Sequence, residues 1–410
     1  MIVQFGNSQS LDLTWPATTE VGDFAAPRGE PLADVALAVA KSLVQPVDFP
    51  PLASAVVPGD RVVIAMKRAM PSGPAIIAGM VASLLTSGVE PTDITVVTTE
   101  DGAADLLAGL PTSLRGEVRQ VVHDPDNAES MAYLAASHDA HPINVNRILV
   151  DADLLIPVTT LRPTGSLGDL GVAGGIFPAF SDRATQIRYR PVDRASWRKH
   201  AARSQRDIDE MLWLLGVQLS VGVVPASDGG VLAVVAGRSE SVAKQGRALA
   251  DAAWSHPIDQ RYDVVVAAID GGPDQQTWNN VARALDAAAG AAADHGAIVI
   301  CSSLHHRPGP ALRHLARAGT PEIPKKKGVK RDTPSDSAIA TLLHELSQDY
   351  RLYLLSELDE ETVDPLGMAY VESPDDIQHL VQRFSSCLVL GGAQYAAIAE
   401  TQGAETQDAE

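Results

Sequence analysis

Short runs of β-branched and other apolar residues alternate along this chain with longer stretches rich in alanine and leucine. Such alternation is typical of βαβ units, in which a helix returns the chain to begin a parallel neighbouring strand. Aromatic residues make up only 4% of the chain, so its cores must be built from Ala, Val, Leu and Ile. That composition suits parallel strands buried beneath helices. The sequence therefore predicts an α/β fold with mostly parallel sheets.

The apolar runs form two series. The first predicts strands at Arg61–Met66, Ile94–Thr99, Glu117–Val122, Arg147–Val150 and Leu154–Val158, and a helix at Ala75–Ser87. The second predicts strands at Asp263–Ile269, Ala297–Cys301, Arg351–Leu355 and Cys387–Leu390, with helices near 274–294, 310–318, 335–347 and 374–384. Between the series, Val217–Val224 and Val231–Val235 are predicted to form an antiparallel pair, followed by a helix from an N-cap at Ser239 to about Trp254.

The length of 410 residues predicts more than one domain, because a single core rarely grows past roughly 250–300 residues. We place an N-terminal α/β domain at 1–258 and a C-terminal α/β domain at 259–400, with an inter-domain cleft. The tail at 401–410 is polar and acidic and is predicted to be disordered. A basic run at 325–331 is interpreted as a solvated loop, with anion or partner binding as the alternative.

Net charge and cysteine content restrict the class of protein. A formal net charge of −19 disfavours binding to nucleic acid, whose phosphates carry the same sign. The only cysteines are Cys301 and Cys387, each beside an apolar run, and buried free thiols fit a reducing compartment. The N-terminus lacks the features of a signal peptide, and the longest apolar stretch, Gly73–Val89, is too short for a convincing membrane span. We therefore expect a cytoplasmic protein.

Three segments carry residues that could bind a ligand. Lys67 and Arg68 follow a predicted parallel strand, at the edge where ligands of open α/β sheets bind. The segment Arg162–Ala179 is rich in glycine, including Gly165, Gly168, Gly171, Gly174 and Gly175, and could cradle an anion on its backbone N–H groups. Asn279, Asn280 and Arg283 fall on the first turns of a helix after a Gly-Gly turn. Each segment could instead be a solvated surface or a tightly packed turn.

No recognised metal or nucleophile motif is present. His305 and His306 are the only adjacent histidines, with His314 eight residues on, and adjacent histidines rarely ligate one metal. The spacings His-x-x-x-His and Gly-x-Ser-x-Gly are both missing from the sequence. The sequence therefore predicts no metal site.

The strands and turns described above resemble segments of the nickel-dependent lactate racemase (LarA-like) family. Leu154–Pro178 matches the central Gly-rich segment of that family in length, and the strand Val264–Ile269, its Gly-Gly-Pro turn and the stretch Tyr353–Leu358 also match. The resemblance implies two α/β domains with a nickel pincer nucleotide in the cleft between them. It further implies an isomerase that racemises or epimerises a 2-hydroxy acid.

Most positions that do chemistry in that family are substituted in this chain. The substrate-binding Arg of the family corresponds to Met70, and a His after the second strand falls at 100–103. The Glu-Pro-His motif, which includes a catalytic base, reads Arg162-Pro163-Thr164. The position of the Lys that tethers the cofactor in the family is occupied here by Gly174, and the position of the nickel-ligand His by Arg190. The motif Tyr-Gln-x-x-Lys becomes Asn279, Asn280 and, after two residues, Arg283.

Three hypotheses remain open at this point. The chain could be a racemase with a degenerate site, with Glu100, Asp101 or Asp169 as a substitute base. It could be a non-catalytic or repurposed relative that binds a small anionic ligand in a cationic cleft, or a scaffold that binds a partner. From their positions relative to the family, eleven residues are expected to bind cofactor or substrate: Lys67, Arg68, Arg162, Thr164, Gly168, Gly171, Gly174, Arg190, Asn279, Asn280 and Arg283.

Overall fold

The computed structural model describes residues 1–67, 69–99, 105–137, 140–169, 171–191, 193, 207–322 and 334–400. Within them lie two six-stranded sheets and three two-stranded ones. The strands are β1 Ile2–Phe5, β2 Gln9–Asp12, β3 Glu20–Phe24, β4 Val62–Met66, β5 Ile94–Thr98, β6 Arg119–Val122, β7 Met131–Ala136, β8 Pro142–Asn146, β9 Leu154–Thr160, β10 Leu219–Pro225, β11 Val231–Arg238, β12 Ser255–Ile258, β13 Tyr262–Ala268, β14 Ala292–Cys301, β15 Arg351–Leu355, β16 Ala369–Val371, β17 Ser386–Leu390 and β18 Ala397–Glu400.

Helices cover both large sheets and connect their strands. They are α1 Val35–Val44, α2 Gly73–Thr86, α3 Thr112–Arg115, α4 Arg147–Val150, α5 Arg183–Arg188, α6 (described over 207–214), α7 Ser239–Trp254, α8 Trp278–Ala291, α9 Pro310–Ala318, α10 Ser337–Asp349, α11 Glu360–Val363 and α12 Pro374–Val381. None of the helices in the described part of the chain combines the length and apolar character needed to cross a membrane.

The first sheet has the strand order β11-β10-β9-β4-β5-β6. All of its neighbours pair in parallel except β10 and β11, which form the predicted antiparallel pair. At its centre β4 is buried along its whole length, with Val62 opposite Ile94 on one side and Leu154 on the other. Burial on both faces explains why this strand is continuously apolar rather than alternating.

The second sheet is parallel throughout and has the order β16-β15-β14-β13-β17-β3. Val264 of β13 stands opposite Ala297 and Cys387, in the middle of the sheet. The two sheets together confirm the predicted α/β fold class with mostly parallel strands.

The first 25 residues pack with the second sheet, although the sequence-based division assigns them to the N-terminal domain. Strand β3 pairs with β17 in parallel, with Glu20 opposite Ser386. The β1-β2 hairpin buries Val3 and Leu11 against the same sheet. The boundary at 258 itself stays a prediction.

One predicted strand is a helical turn instead. Arg147–Val150 forms α4, because the side-chain Oδ1 of Asn146 accepts a hydrogen bond from the N–H of Ile148 at 3.0 Å. Asparagine at this position satisfies a backbone donor at the start of a helix, which favours helix over the strand that the apolar residues suggest. Strands β1, β2, β3, β7, β8, β12, β16 and β18 were not predicted.

The first half of the chain, which contains the first sheet, and the second half, which begins at β12, meet along buried polar and aromatic contacts. Asp270, just after β13, accepts hydrogen bonds from the Asp228 N–H at 3.0 Å and from Gln394 Nε2 at 2.9 Å. Trp254, at the end of α7, is fully buried, and its Nε1 donates to the carbonyl of Pro225 at 2.8 Å. One hydrophobic cluster accordingly contains residues from both halves of the chain.

Candidate functional site

Three successive strands of the first sheet end at polar residues. Lys67 follows β4, Thr99 follows β5 and His123 follows β6. Because these strands are parallel and adjacent, their carboxyl ends lie at one edge of the sheet, where α/β proteins bind ligands.

A cavity of about 270 Å³ lies at this edge, and we call it the edge cavity. Its lining includes Lys67, Thr99, His123, Gly174, Gln186, Tyr189 and Arg190. Three of the residues singled out from sequence, Lys67, Gly174 and Arg190, are therefore brought together. All of the lining residues belong to the first half of the chain.

Arg190 follows helix α5 and is only partly accessible to solvent. Burial lowers the pKa of its guanidinium, the charge of Arg183 lowers it further, and Asp336 of the second half acts in the opposite direction. Arg183 is itself engaged by Asp126 at 2.8 Å. The edge cavity thus holds a cation whose surroundings favour a nearby negative charge.

His123 is a buried imidazole in this cavity that the sequence interpretation missed. It is 2% exposed and packs at a tilt against Phe180, with ring centroids 5.6 Å apart. Its Nε2 lies 3.0 Å from the carbonyl oxygen of Ser181, and its Nδ1 lies 3.1 Å from Nδ2 of Asn146. The reasoning that selected Lys67, a polar residue directly after a predicted parallel strand, also selects His123.

Tyr189 adds a neutral hydroxyl to the lining. Its hydroxyl donates to Asp207 at 3.0 Å, and its ring meets Phe177 edge-on with centroids 4.8 Å apart. Burial raises the pKa of the phenol, and the hydrogen bond to Asp207 raises it further. Tyr189 therefore remains protonated at neutral pH.

The Gly-rich segment turns sharply beside this cavity. Gly168 and Gly171 have φ of +72° and +63°, a region that glycine enters without strain. Gly174 belongs to a short 3₁₀ turn at Val172–Gly175 and faces the edge cavity. Asp169 accepts from the Gly171 N–H at 2.9 Å and pairs with Arg247 at 3.3 Å, so its carboxylate is already engaged.

A second, larger cavity of about 400 Å³ lies where the Gly-rich segment meets α8, and we call it the junction cavity. Thr164 and Arg283 line it, so the structure divides the predicted cationic cleft between two cavities. Thr164 is held by Asp251, which accepts from its backbone N–H at 2.6 Å and from its hydroxyl at 2.9 Å. That contact fixes the start of the Gly-rich segment on α7.

The residues predicted on α8 have different roles. Asn279 is exposed and lines neither cavity. Asn280 is buried; its Nδ2 donates to the carbonyl of Gln275 at 2.7 Å, and its Oδ1 accepts from Arg283 Nη1 at 2.8 Å. Asn280 thus positions Arg283, which reaches the junction cavity.

The residues present do not fit a tethered nickel pincer nucleotide. Gly174 has no amine for a covalent link, and the guanidinium of Arg190 is not a metal ligand. Across the described residues, no three His, Cys, Asp or Glu side chains form a group that could hold a metal ion. The rings of His305 and His306 lie at a tilt to each other, with centroids 4.2 Å apart, and do not belong to such a group.

Several predicted positions lie outside the described residues. They are Arg68, Glu100, Asp101 and Gly102, the basic run at 325–331 and the tail at 401–410. The residue at the position of the family's substrate-binding Arg is Met70, and the structure does describe it. Met70 is buried, and its sulfur accepts a hydrogen bond from the Thr160 hydroxyl at 3.2 Å.

Comparison with known proteins gives a family-model match for part of the chain and a similar fold for nearly all of it. Residues 5–190 match the family model of the lactate racemase N-terminal domain. The lactate racemase apoprotein from Thermoanaerobacterium thermosaccharolyticum superposes with a TM-score of 0.75 at 18% identity, covering 98% of this chain and 100% of that one. A Thermotoga maritima protein superposes with a TM-score of 0.61 at 13% identity, covering 91% and 99%.

No curated protein sequence matches this chain. The predicted resemblance is nevertheless confirmed: residues 5–190 are similar to the lactate racemase N-terminal domain, and the chain has the fold of a lactate racemase apoprotein along nearly its whole length.

Proposed function

We propose that this chain is a lactate racemase-like protein that binds a small anionic molecule in the edge cavity. The observation that carries the proposal is the convergence of Lys67 and Arg190 outside the carboxyl ends of adjacent parallel strands. None of the described residues lining this cavity is an Asp or Glu. An otherwise acidic protein that presents two cations in one cavity would concentrate a carboxylate or a phosphate there.

The chemistry of the cavity supports binding rather than racemisation. Removing a hydride from a 2-hydroxy acid needs a hydride acceptor and a base for the hydroxyl proton. The positions that would anchor the nickel cofactor are Gly174 and Arg190, and both ring nitrogens of His123 are hydrogen-bonded within the fold. No reaction step is therefore assigned to this cavity.

A second candidate function is racemisation or epimerisation of a 2-hydroxy acid through a nickel pincer nucleotide. The match of residues 5–190 to the lactate racemase N-terminal domain favours it. Native mass spectrometry with metal analysis, on protein co-produced with the enzymes that build the cofactor, tests this candidate. A nickel-containing mass increment followed by racemisation of lactate would support it, and a bare polypeptide mass would count against it.

Isothermal titration calorimetry with sodium lactate, inorganic phosphate and adenosine monophosphate, at constant ionic strength, tests anion binding. We expect Lys67→Gln and Arg190→Gln each to weaken binding of the preferred anion about 10-fold or more. That loss reflects one charge-assisted hydrogen bond of roughly 1.5–3 kcal/mol.

Arg61→Gln is the matched control. Arg61 precedes β4 at the opposite edge of the sheet and pairs there with Asp153 at 2.9 Å, so this variant loses one positive charge away from the cavity. Its affinity should equal that of the wild type. Equal affinities in all three variants, or no binding of any anion, would refute the proposal.

We also propose a cytoplasmic location. Its support is that Cys301 and Cys387 are both buried free thiols, as expected in a reducing compartment.

A further inference from the structure

Two arginines from different halves of the chain lie at the junction cavity: Arg283 lines it, and Arg162 hydrogen-bonds to Gln394, which also lines it. The hydrogen-bond partners of both arginines are neutral. Arg162 donates through Nη1 to the carbonyl of Gln394 at 2.5 Å, and its guanidinium lies 5.3 Å from the centre of the Tyr395 ring. Arg283 donates through Nε to the carbonyl of Leu167 at 3.3 Å and through Nη1 to Asn280. These acceptors orient the two guanidinium groups but carry no compensating charge. The cavity lining also contains one further cation, Arg261, and one carboxylate, Asp286.

Within the described chain, neither Arg162 nor Arg283 has a carboxylate at ion-pair distance. The negative charge of Asp169 acts on both arginines, but that carboxylate pairs with Arg247 at 3.3 Å. Burial lowers the pKa of Arg283 to about 9, and the charge of Arg162 adds to this effect. At neutral pH both groups are therefore still charged, close together and partly removed from water, which is an unfavourable arrangement without a counter-ion.

Two further polar groups of the same cavity are without partners. The hydroxyl of Ser166 and the Oε1 of Gln394 are buried and have no hydrogen-bond partner among the described residues. Both residues line the junction cavity. The Nε2 of Gln394 is held by Asp270 at 2.9 Å, which leaves Oε1 as an acceptor that requires a donor. Such buried groups are normally satisfied by protein, water or a ligand.

We infer that Arg283, Ser166 and Gln394, with the charge of Arg162 beside them, form a second ligand site, for a small oxyanion that retains a hydroxyl group, with hydrogen phosphate as the simplest example. The oxygens of such an ion accept from the guanidinium group of Arg283 and from Ser166, since the planar fork of arginine matches phosphate geometry, and the charge of Arg162 adds to the attraction. Its hydroxyl donates to Gln394 Oε1. A cavity of about 400 Å³ also leaves room for an organic group attached to the phosphate.

This site differs from the edge cavity in position and consequence. Arg162 begins the Gly-rich segment of the first half, whereas Arg283 lies on α8 of the second half. An anion held by Arg283 and Ser166 would offset the repulsion between the two arginines and would join the two halves of the protein. The inference does not depend on the proposed function of the edge cavity.

Calorimetric titration of the full-length protein with inorganic phosphate, and separately with sulfate, tests the inference at neutral pH. Sulfate has nearly the same size but carries no hydroxyl at this pH, so it would leave Gln394 Oε1 without a donor. We expect phosphate to bind at least about 10-fold more tightly than sulfate. Equal affinities for the two ions would overturn the assigned ligand class.

Variants locate the bound ion. Arg283→Gln should weaken phosphate binding about 10-fold or more, and Ser166→Ala, a small change at a residue with no other side-chain hydrogen bond in the described chain, about 3- to 10-fold. Arg61→Gln, which removes a positive charge outside both cavities, should leave phosphate affinity unchanged. Loss of binding in Arg190→Gln with full binding in Arg283→Gln and Ser166→Ala would overturn the inference while supporting the edge cavity. Absence of phosphate binding by the wild type would also overturn it.

Discussion

Asn146 fixes the tautomer of His123. The Oδ1 of Asn146 accepts from the backbone N–H of Ile148, so its Nδ2 must face the imidazole and donate to Nδ1 at 3.1 Å. With Nδ1 as an acceptor, the ring proton resides on Nε2, where the carbonyl of Ser181 accepts it at 3.0 Å. A buried histidine in the edge cavity is thereby a neutral, oriented ring with no lone pair left over for proton abstraction.

This arrangement predicts one protonation state that can be measured. In ¹⁵N-detected spectra at neutral pH, His123 should carry its proton on Nε2 and none on Nδ1. Asn146→Ala removes both the helix cap and the donor to Nδ1, so it should lower the free energy of unfolding by about 2–4 kcal/mol. Observation of the Nδ1–H tautomer in the wild type would contradict the assignment.

A second prediction concerns stability at mildly acidic pH. His256 is 2% exposed and stacks on Phe24, with ring centroids 4.5 Å apart. Burial lowers its pKa from 6.5 to about 4, and the charge of Arg28 contributes further. The unfolded chain therefore binds this proton more readily than the folded one, so stability is present above pH 6.5 and is lost as the pH falls toward 4.

Urea unfolding at pH 7.5 and pH 5 measures the effect of His256. We expect a loss attributable to this group of about 2 kcal/mol between the two pH values. His256→Phe keeps an aromatic ring against Phe24 and removes the titrating group, so its loss over the same interval should be smaller by that amount. Equal losses in the variant and the wild type would show that other groups cause the acid sensitivity.

A third prediction compares two glycines with similar backbone angles. Gly392 has φ of +55°, and a Cβ added there would collide with the indole of Trp254. Gly216 has φ of +66° but has no atom within 4 Å of the same added Cβ. Gly392→Ala should lose at least about 2 kcal/mol more stability than Gly216→Ala, because only the former adds overpacking to backbone strain. Thermal unfolding of the two variants gives the comparison, and similar melting temperatures would argue against close packing at Trp254.

The fourth prediction restores the two cofactor anchors by position. Gly174 and Arg190 line the same cavity, so Gly174→Lys with Arg190→His places an amine and an imidazole together. We expect the double variant, co-produced with the cofactor-building enzymes, to show a nickel-containing mass increment that the wild type does not show. Gly171→Lys with Arg190→His is a control, because Gly171 is not part of the cavity lining. An increment in the wild type would show that the substituted anchors are dispensable.

Much of the fold could be predicted because buried parallel strands are apolar along their length. Strands β4, β9 and β13 carry this pattern, and each was predicted within two residues at its ends. Strand β3 was missed because its residues, Glu20–Phe24, are exposed or half-buried at a sheet edge and give no apolar run. Arg147–Val150 was wrongly predicted as a strand. The strand propensity of its apolar residues is overridden by the preceding Asn146, whose side chain caps a helical turn.

The candidate site was less predictable for a different reason. Lys67, Gly174 and Arg190 were selected from sequence and do share a cavity. The partition of the cations between two cavities depends on how α8 packs on the Gly-rich segment, a contact between residues more than a hundred positions apart. The unpartnered polar atoms of Ser166 and Gln394 could not be predicted either. Whether a buried polar atom finds a hydrogen-bond partner depends on three-dimensional packing rather than on residue type.

The parallel pairing of Glu20 with Ser386 sets the order in which this protein can be assembled during translation. Strand β3 leaves the ribosome early but has no edge to join until β17 has been synthesised, more than 350 residues later. The first half can bury its own sheet in the meantime, whereas the second sheet cannot be completed until β17 has been synthesised. Contacts of such long sequence separation slow folding. A nascent chain stalled before β17 would therefore present an unpaired β3, and chaperone binding to that segment should end when β17 emerges.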